Sequence, residues 1–129
     1  MTAAVETIEG ILLVDVEMET VLGAGTELPP VERPPVGLPR VVATAASGST
    51  VVAVIDRRPP LAVSHDGGRT WRESGGGLPA GFAVDVADDD PDRILFAARN
   101  HLYVSTDGGT FWHRLEVELP DIFGLAWLD

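Results

Sequence analysis

Two nearly identical stretches of eight residues, 41 positions apart, constrain this chain more than any other feature. SHDGGRTW covers residues 64–71 and STDGGTFW covers residues 105–112, and we call them the first and second octets. A Leu-Pro pair follows each octet at the same distance, at 78–79 and 119–120. Self-similarity with a period of about 40 residues predicts a repeat architecture, in which each repeat is one supersecondary unit.

The repeat divides one predicted domain, residues 1–129, into three units and the start of a fourth. The units are 1–39, 40–80 and 81–121, and residues 122–129, IFGLAWLD, repeat the opening of the third unit. The first unit keeps only the Leu-Pro ending and has no octet.

Each of the two later units contains four short segments with strand composition. Val, Ile and Phe dominate these segments, and Gly, Pro and Asp separate them. The predicted strands are 41–45, 51–55, 61–64 and 70–73, then 82–87, 93–98, 101–105 and 111–117. A helix stays open at residues 3–9, which have no convincing cap. Four strands in about 40 residues, repeated, predict an all-β fold of four-stranded antiparallel β-propeller blades. A β-sandwich is the alternative, although it has no reason to repeat its sequence.

The octets resemble the Asp-box, also called the BNR repeat, of sialidase-type β-propellers. The first octet matches at every defining position, and the second departs at Phe111, where the family prefers Thr. The matching residues are Ser64, Asp66, Gly68, Thr70, Trp71, Ser105, Asp107, Gly109 and Trp112. The resemblance covers residues 40–121. It implies a box between the third and fourth strands at the periphery of a blade, away from a catalytic centre.

The octet residues suit a turn between two strands. Asp66 and Asp107 can accept hydrogen bonds from the backbone N–H groups of their own turns. The glycines permit positive φ, and Trp71 and Trp112 can place their rings under the turn. We therefore interpret the octets as structural, against the alternative of a ligand or metal site.

The charge balance argues against polyanionic partners. The formal net charge is -11, no lysine occurs, and no cation precedes Arg33. Such a chain repels phosphate backbones and anionic membranes, so we expect neither nucleic acid nor membrane as a partner. No apolar run is long enough to span a bilayer and the start does not resemble a secretory signal, so we expect a cytoplasmic protein.

No residue pattern indicates catalysis, a metal or a cofactor. The resemblance implies a Tyr nucleophile for a sialidase-like enzyme, but the lone tyrosine, Tyr103, falls in a predicted strand. No pair of carboxylates stands out, and the histidines His65, His101 and His113 lack a metal-ligand spacing. The acidic run at 88–92, DDDPD, offers oxygen ligands for calcium but fits a solvated turn. We expect no catalytic residue, no metal and no cofactor.

A cluster of cations is predicted at the end of the sheets opposite the octets. The loops between second and third strands carry Arg57, Arg58, Arg99, Asn100 and His101. Arginine forks suit carboxylate or phosphate, so this rim is the candidate site for an anionic ligand. The alternative is a set of ordinary solvated loops.

Three functions remain open from the sequence. The favoured one is a non-catalytic module that binds a ligand or a protein partner. The others are a part of a sialidase-like or other propeller glycoside hydrolase, and a propeller assembly factor for a protein complex. Fold resemblance alone does not choose among them.

Three units are fewer than the roughly four to eight blades of a closed propeller. Residues 122–128 match an innermost strand, whereas residues 8–16 read as the second strand of the first blade. We therefore predict a homodimer that forms one six-bladed ring, with 122–128 pairing to 11–17 of the partner. The alternatives are a fragment of a larger propeller or closure with a different protein.

Overall fold

The computed structural model describes residues 1–128, which contain β-strands and no helix. The strands, in chain order, are β1 (Thr2–Thr7), β2 (Gly10–Asp15), β3 (Thr20–Ala24), β4 (Val41–Ser47), β5 (Thr50–Ile55), β6 (Leu61–Ser64), β7 (Arg72–Ser74), β8 (Ala83–Val86), β9 (Ile94–Ala98), β10 (His101–Ser105), β11 (His113–Arg114) and β12 (Ile122–Trp127). No helix long and apolar enough to cross a bilayer occurs among these residues.

The strands form three antiparallel sheets of four strands each. Sheet 1 has the order β12-β1-β2-β3, sheet 2 the order β4-β5-β6-β7, and sheet 3 the order β8-β9-β10-β11. The predicted all-β class and the four-stranded antiparallel sheets are confirmed. Within residues 1–128 the three sheets do not close into a ring.

Sheet 3 lies in the middle of the stack. Its first strand, β8, contacts β4 of sheet 2 on one side and β12 of sheet 1 on the other. One core cluster lies between sheets 2 and 3, around Phe96, Val54 and Leu61, and a second lies between sheets 3 and 1, around Leu102, Leu115 and Leu125. We call β4, β8 and β12 the inner strands and β3, β7 and β11 the outer strands.

The closing strand of sheet 1 comes from the far end of the same chain. β12 pairs antiparallel with β1, and Val5 lies opposite Leu125. The prediction that 8–16 is the second strand is wrong, because β1 holds that position and β2 is third. The predicted pairing of 122–128 with 11–17 of a partner is likewise corrected to a pairing with β1 of the same chain. Residues 3–9, left open as a helix, belong mostly to β1 because their backbone groups pair on both sides.

A proline-rich strap, residues 25–40, joins β3 to β4 and contains the Leu-Pro ending of the first predicted unit. Its prolines, Pro29, Pro30, Pro34, Pro35 and Pro39, lack the backbone N–H that a ladder needs. It begins against the outward face of sheet 1, where a Cβ on Gly25 would lie 2.9 Å from Ile11 Cγ2. It ends against the outward face of sheet 2, where Val36 and Leu38 pack on Ile55.

The strap bears on the predicted dimer. An open arc of three blades would leave apolar faces bare on its end sheets, and a dimer would cover them. Strap residues lie against both of these faces instead. β12 is also already paired. The homodimer stays a prediction, without strand exchange as its mechanism.

Candidate functional site

The first octet forms the turn between β6 and β7, and its hydrogen bonds are internal. Asp66 Oδ1 accepts the backbone N–H groups of Arg69 (3.1 Å) and Thr70 (2.9 Å), and Oδ2 accepts the Thr70 hydroxyl (2.6 Å). The Ser64 hydroxyl donates to Asp66 Oδ1 at 2.7 Å and accepts the Gly68 N–H at 2.8 Å. These donors hold the pKa of Asp66 far below its usual range, the Thr70 hydroxyl most strongly.

The second octet repeats the pattern between β10 and β11. Asp107 Oδ1 accepts the N–H groups of Thr110 (3.1 Å) and Phe111 (3.0 Å), and Ser105 bonds to both Asp107 and Gly109. Phe111 supplies no hydroxyl to the second carboxylate oxygen. The pKa of Asp107 is lowered chiefly by the Phe111 N–H, with the Ser105 hydroxyl second.

The two octet tryptophans lie in different interfaces. Trp112 reaches from sheet 3 to sheet 2, where its indole N–H donates to the Ser74 hydroxyl at 2.9 Å, and its ring meets Phe96 edge-on. The Ser74 hydroxyl in turn donates to the Gly109 carbonyl. Trp71 packs against the strap and Ile55 on the outward face of sheet 2. One octet thus joins two sheets, and the other faces the strap.

The acidic run at 88–92 lies at the same end of the sheets as the octets. The Gly108 N–H donates to the Asp92 carbonyl at 3.0 Å, and Asp90 closes its own turn by accepting the Asp92 N–H at 3.1 Å. Within residues 1–128, His, Cys, Asp and Glu side chains form no group of three that could hold a metal ion. We call this the octet end of the molecule.

The five predicted rim residues lie at the other end, which we call the rim end. Arg57 Nη1 pairs with Glu73 at 3.2 Å and Arg99 Nε lies 3.8 Å from Asp121. His101 Nε2 lies 3.5 Å from Glu118. The fourth and fifth residues are Asn100, whose carbonyl accepts the Leu119 N–H, and Arg58, which precedes a cis proline.

The rim residues form two groups and not one cluster. Arg58 borders a groove with Pro59 and Pro79, and Arg99 borders another with Asp121. The two grooves share no lining residue, and no hydrogen bond or ion pair joins the groups within residues 1–128. Arg57 and Arg99 have acidic partners, so the local positive charge is smaller than the sequence indicated.

The Arg99 groove has aromatic walls. Its volume is about 310 Å³, and Phe82 and Phe123 line it together with Arg99, Asp121 and Ile122. Phe82 directly precedes inner strand β8, and Phe123 is the second residue of inner strand β12. Both residues are more than half exposed, at 51% and 59%. Exposed apolar side chains that line one groove together mark an interaction surface more often than single scattered ones do.

A third side chain occupies the equivalent position in sheet 2. The strand ladders make Val42 the counterpart of Phe82, because Ala43 and Ala83, the residues that follow them, lie opposite equivalent residues of β5 and β9. The 41-residue repeat places Phe82 on Phe123, and Val42 in inner strand β4 is 49% exposed. We call Val42, Phe82 and Phe123 the apolar row. Its signal was present in the sequence as a repeated apolar position, but periodicity cannot tell an exposed repeat from a buried one.

Sequence reasoning also missed a cleft between the inner strands and the strap. It encloses about 240 Å³ and is bordered by Asp85, Trp127 and strap residues 29–32. Burial raises the pKa of Asp85 to about 6, and its side chain has the location and titration expected of a catalytic acid.

Both Asp85 oxygens are engaged, however. Oδ1 accepts the Val86 N–H at 2.9 Å, and Oδ2 accepts the Trp127 N–H at 2.8 Å. The Trp127 indole donates to the Asp85 carbonyl at 3.2 Å, and the Arg93 guanidinium stacks 4.6 Å above the Trp127 ring. This cluster fastens β12 to β8, where no strand ladder joins the two sheets.

Comparisons with known proteins assign no family. No protein-family model matches the chain, and no curated protein matches it. Among solved structures, the GH74 enzyme NkGH74 of Niastella koreensis aligns with 93% of this chain at 20% identity and a TM-score of 0.49. The chain spans only 18% of that enzyme's length. A likeness of this size assigns neither a family nor an activity.

Proposed function

We propose that this chain is a non-catalytic binding or assembly module of the Asp-box β-propeller type, with its binding surface on the apolar row at the rim end. The three sheets then correspond to blades, and the octets to Asp-boxes. The observation that carries the proposal is the apolar row itself. Three sheets each expose one large apolar side chain at the start of the inner strand.

Repetition argues against chance exposure. An isolated exposed apolar residue needs no explanation, but Phe82 and Phe123 line one groove together, and contiguous apolar surface of this kind is solvated poorly. Aromatic residues and arginine are the types enriched at the centres of protein interfaces. Phe82, Phe123 and Arg99 supply that combination around one groove. We propose an occupant with an apolar face and an anionic group that pairs with Arg99.

The octet end is a poor alternative location for ligand binding. Asp66 and Asp107 already accept the N–H groups of their own turns. A ligand that recruited these carboxylates would have to displace the turn N–H groups, and each hydrogen bond to a charged group contributes about 1.5–3 kcal/mol.

The enzyme alternative would have to use the Asp85 cleft. Glycoside hydrolysis needs two carboxyl groups on opposite sides of the scissile bond. Asp88 and Asp89 border the same cleft, but Asp85 holds two backbone N–H groups and fixes β12. Proton donation from Asp85 would weaken that attachment in every catalytic cycle, so we favour a positional role.

The location is tested with a small aromatic anion, anilinonaphthalene sulfonate, followed by amide NMR. We expect shift changes at residues 82, 99 and 123. The double variant Phe82→Ser/Phe123→Ser should weaken binding by about tenfold or more, the effect of losing roughly 1.4 kcal/mol. Phe111→Ser, which replaces an even more exposed phenylalanine at the octet end, is the control and should leave binding unchanged. Shift changes centred on the octets, or equal loss in the control, would contradict the proposal.

The enzyme alternative is tested by activity. We expect no hydrolysis of fluorogenic sialosides or aryl glycosides by the repurified protein. Turnover that disappears in Asp85→Asn, while the variant keeps a folded NMR spectrum, would replace the binding module by an enzyme.

A further inference from the structure

The three outer strands protect their free edges unequally. An outer strand presents unpaired N–H and C=O groups, and proteins usually blunt such edges with short strands or charged side chains. β7 has three residues and includes Arg72 and Glu73, and β11 has two, His113 and Arg114. Both edges follow the rule.

β3 does not follow it. The strand has five residues, Thr-Val-Leu-Gly-Ala, every one of them exposed and none charged. Leu22 is 58% exposed and Val21 is exposed beside it. On its outer side β3 pairs with no other strand of residues 1–128.

A bulge restricts what can pair with this edge. The register between β2 and β3 shifts at Leu22, and bulges bend and twist a strand. A twisted edge disfavours repeated edge-to-edge pairing with other sheets. A single extended segment can follow the bend and still pair with the strand.

The charges beside β3 restrict the occupant further. Glu17 precedes the strand and Glu27 follows it, and both are exposed. Glu19 is engaged by His113 at 3.1 Å and by the Glu116 N–H, so it contributes less negative charge to the edge of β3. No lysine or arginine occurs before residue 33. A second copy of β3 would bring like charges together, which is destabilising.

We propose that β3 is a docking edge for an extended segment of a partner protein, one with alternating apolar residues flanked by lysine or arginine. The segment adds a fifth strand to sheet 1. Its backbone bonds to β3 supply affinity, its apolar residues contact Val21 and Leu22, and its cations meet Glu17 and Glu27. This surface is separate from the apolar row and does not depend on the proposed ligand site.

The test uses a short peptide with an alternating Thr-Val core between paired lysines, titrated into the full chain and followed by amide NMR. We expect shift changes concentrated at Thr20–Ala24. A peptide with glutamates in place of the lysines should bind at least about tenfold more weakly because its charges oppose Glu17 and Glu27.

The protein variant is Leu22→Lys, with Ile8→Lys as its matched control. Both place a lysine at an exposed apolar position of sheet 1, but Ile8 lies in the turn between β1 and β2. We expect Leu22→Lys to weaken binding of the lysine peptide by about tenfold and Ile8→Lys to change it by less than about twofold. Equal binding of both peptides, equal effects of both variants, or no binding to the folded wild type would overturn the proposal. Self-association through β3, lost in Leu22→Lys, would also overturn it.

Discussion

The two octets have nearly the same sequence and share the hydrogen bonds of their serine and aspartate to the turn backbone, but they support different parts of the structure. The second octet lies between sheets 2 and 3, where Gly109 is buried against Ser74 and Trp112 bonds across the interface. The first octet lies at the outward face of sheet 2, where Gly68 is partly exposed and Trp71 packs on the cluster that the strap covers. Sequence repetition therefore reports the local turn, and the position in the stack decides what each turn supports.

The largest expected difference comes from the second glycine of the two octets. Gly68 and Gly109 have φ of 92° and 91°, so alanine strains both backbones alike, by about 1–2 kcal/mol. A Cβ on Gly109 would lie 3.0 Å from Ser74 Oγ and 3.2 Å from Val63 Cγ2, whereas the nearest atom at Gly68 is 3.6 Å away.

We therefore expect Gly109→Ala to lose about 2–5 kcal/mol of unfolding free energy, because overpacking adds about 1–3 kcal/mol to the strain. Gly68→Ala should lower the unfolding free energy only by the backbone strain, about 1–2 kcal/mol. Chemical denaturation of both variants measures the difference. Equal losses would mean that the second octet is no more tightly packed than the first.

A smaller difference is expected at the tryptophans. Trp112→Phe removes the bond to the Ser74 hydroxyl and should lower the unfolding free energy by about 1–3 kcal/mol. The Trp71 indole N–H makes no hydrogen bond within residues 1–128, so Trp71→Phe should cost less. Ser74→Ala, which removes the acceptor, should reduce the difference between the two tryptophan variants. If that difference persists undiminished in the Ser74→Ala background, it has another origin.

The smallest difference is electrostatic and concerns the residue that breaks the repeat. The Thr70 hydroxyl bonds to the Asp66 carboxylate, whereas the Thr110 hydroxyl bonds to the Asp107 backbone carbonyl. Thr70→Val should raise the pKa of Asp66, and Thr110→Val, its matched control, should leave the pKa of Asp107 unmoved. Phe111→Thr should lower the pKa of Asp107 by restoring the missing donor. NMR titration of the carboxyl carbons measures the pKa in all three variants. An unchanged Asp66 pKa in Thr70→Val would refute the bond assigned between the Thr70 hydroxyl and the Asp66 carboxylate.

The same shifts give a direction for stability against pH. Both carboxyl pKa values are lower in the folded state than the unfolded value of about 3.9. Ionised Asp66 and Asp107 therefore stabilise the fold above about pH 4, and the contribution is lost as the pH falls through the folded pKa values. Asp85 works in the opposite direction: its pKa is raised to about 6, so its ionisation opposes folding as the pH rises from about 4 to above 6.

Much of sheets 2 and 3 was predictable because Val- and Ile-rich segments alternate with turn residues there. β6 and β10 match their predicted bounds, while β11 is shorter than the predicted 111–117. Sheet 1 was not predictable from the repeat. β1, TAAVET, has weak strand composition, and its inner neighbour β12 is more than 100 residues away along the chain.

The strap keeps the ending of a repeat unit without its strands, for a physical reason. Leu38-Pro39 matches the Leu-Pro ending of the later units, yet the prolines before it cannot donate to a ladder. The candidate site was likewise predictable only in part. The octets are visible in sequence because turn chemistry is local, whereas the exposure of Val42, Phe82 and Phe123 and the burial of Asp85 depend on contacts between sheets.

Hydrogen exchange of two amides tests the central comparison without any substitution. Gly68 and Gly109 both follow Asp-Gly, so the residues immediately before them are the same, and each N–H donates to the serine of its own octet, at 2.8 Å and 2.9 Å. If the second octet is locked between sheets, Gly109 should exchange only through large-scale opening, at rates close to those of core amides such as Phe96. Gly68 should exchange by local opening, at least about tenfold faster. Equal protection of the two amides, or stronger protection of Gly68, would contradict the account.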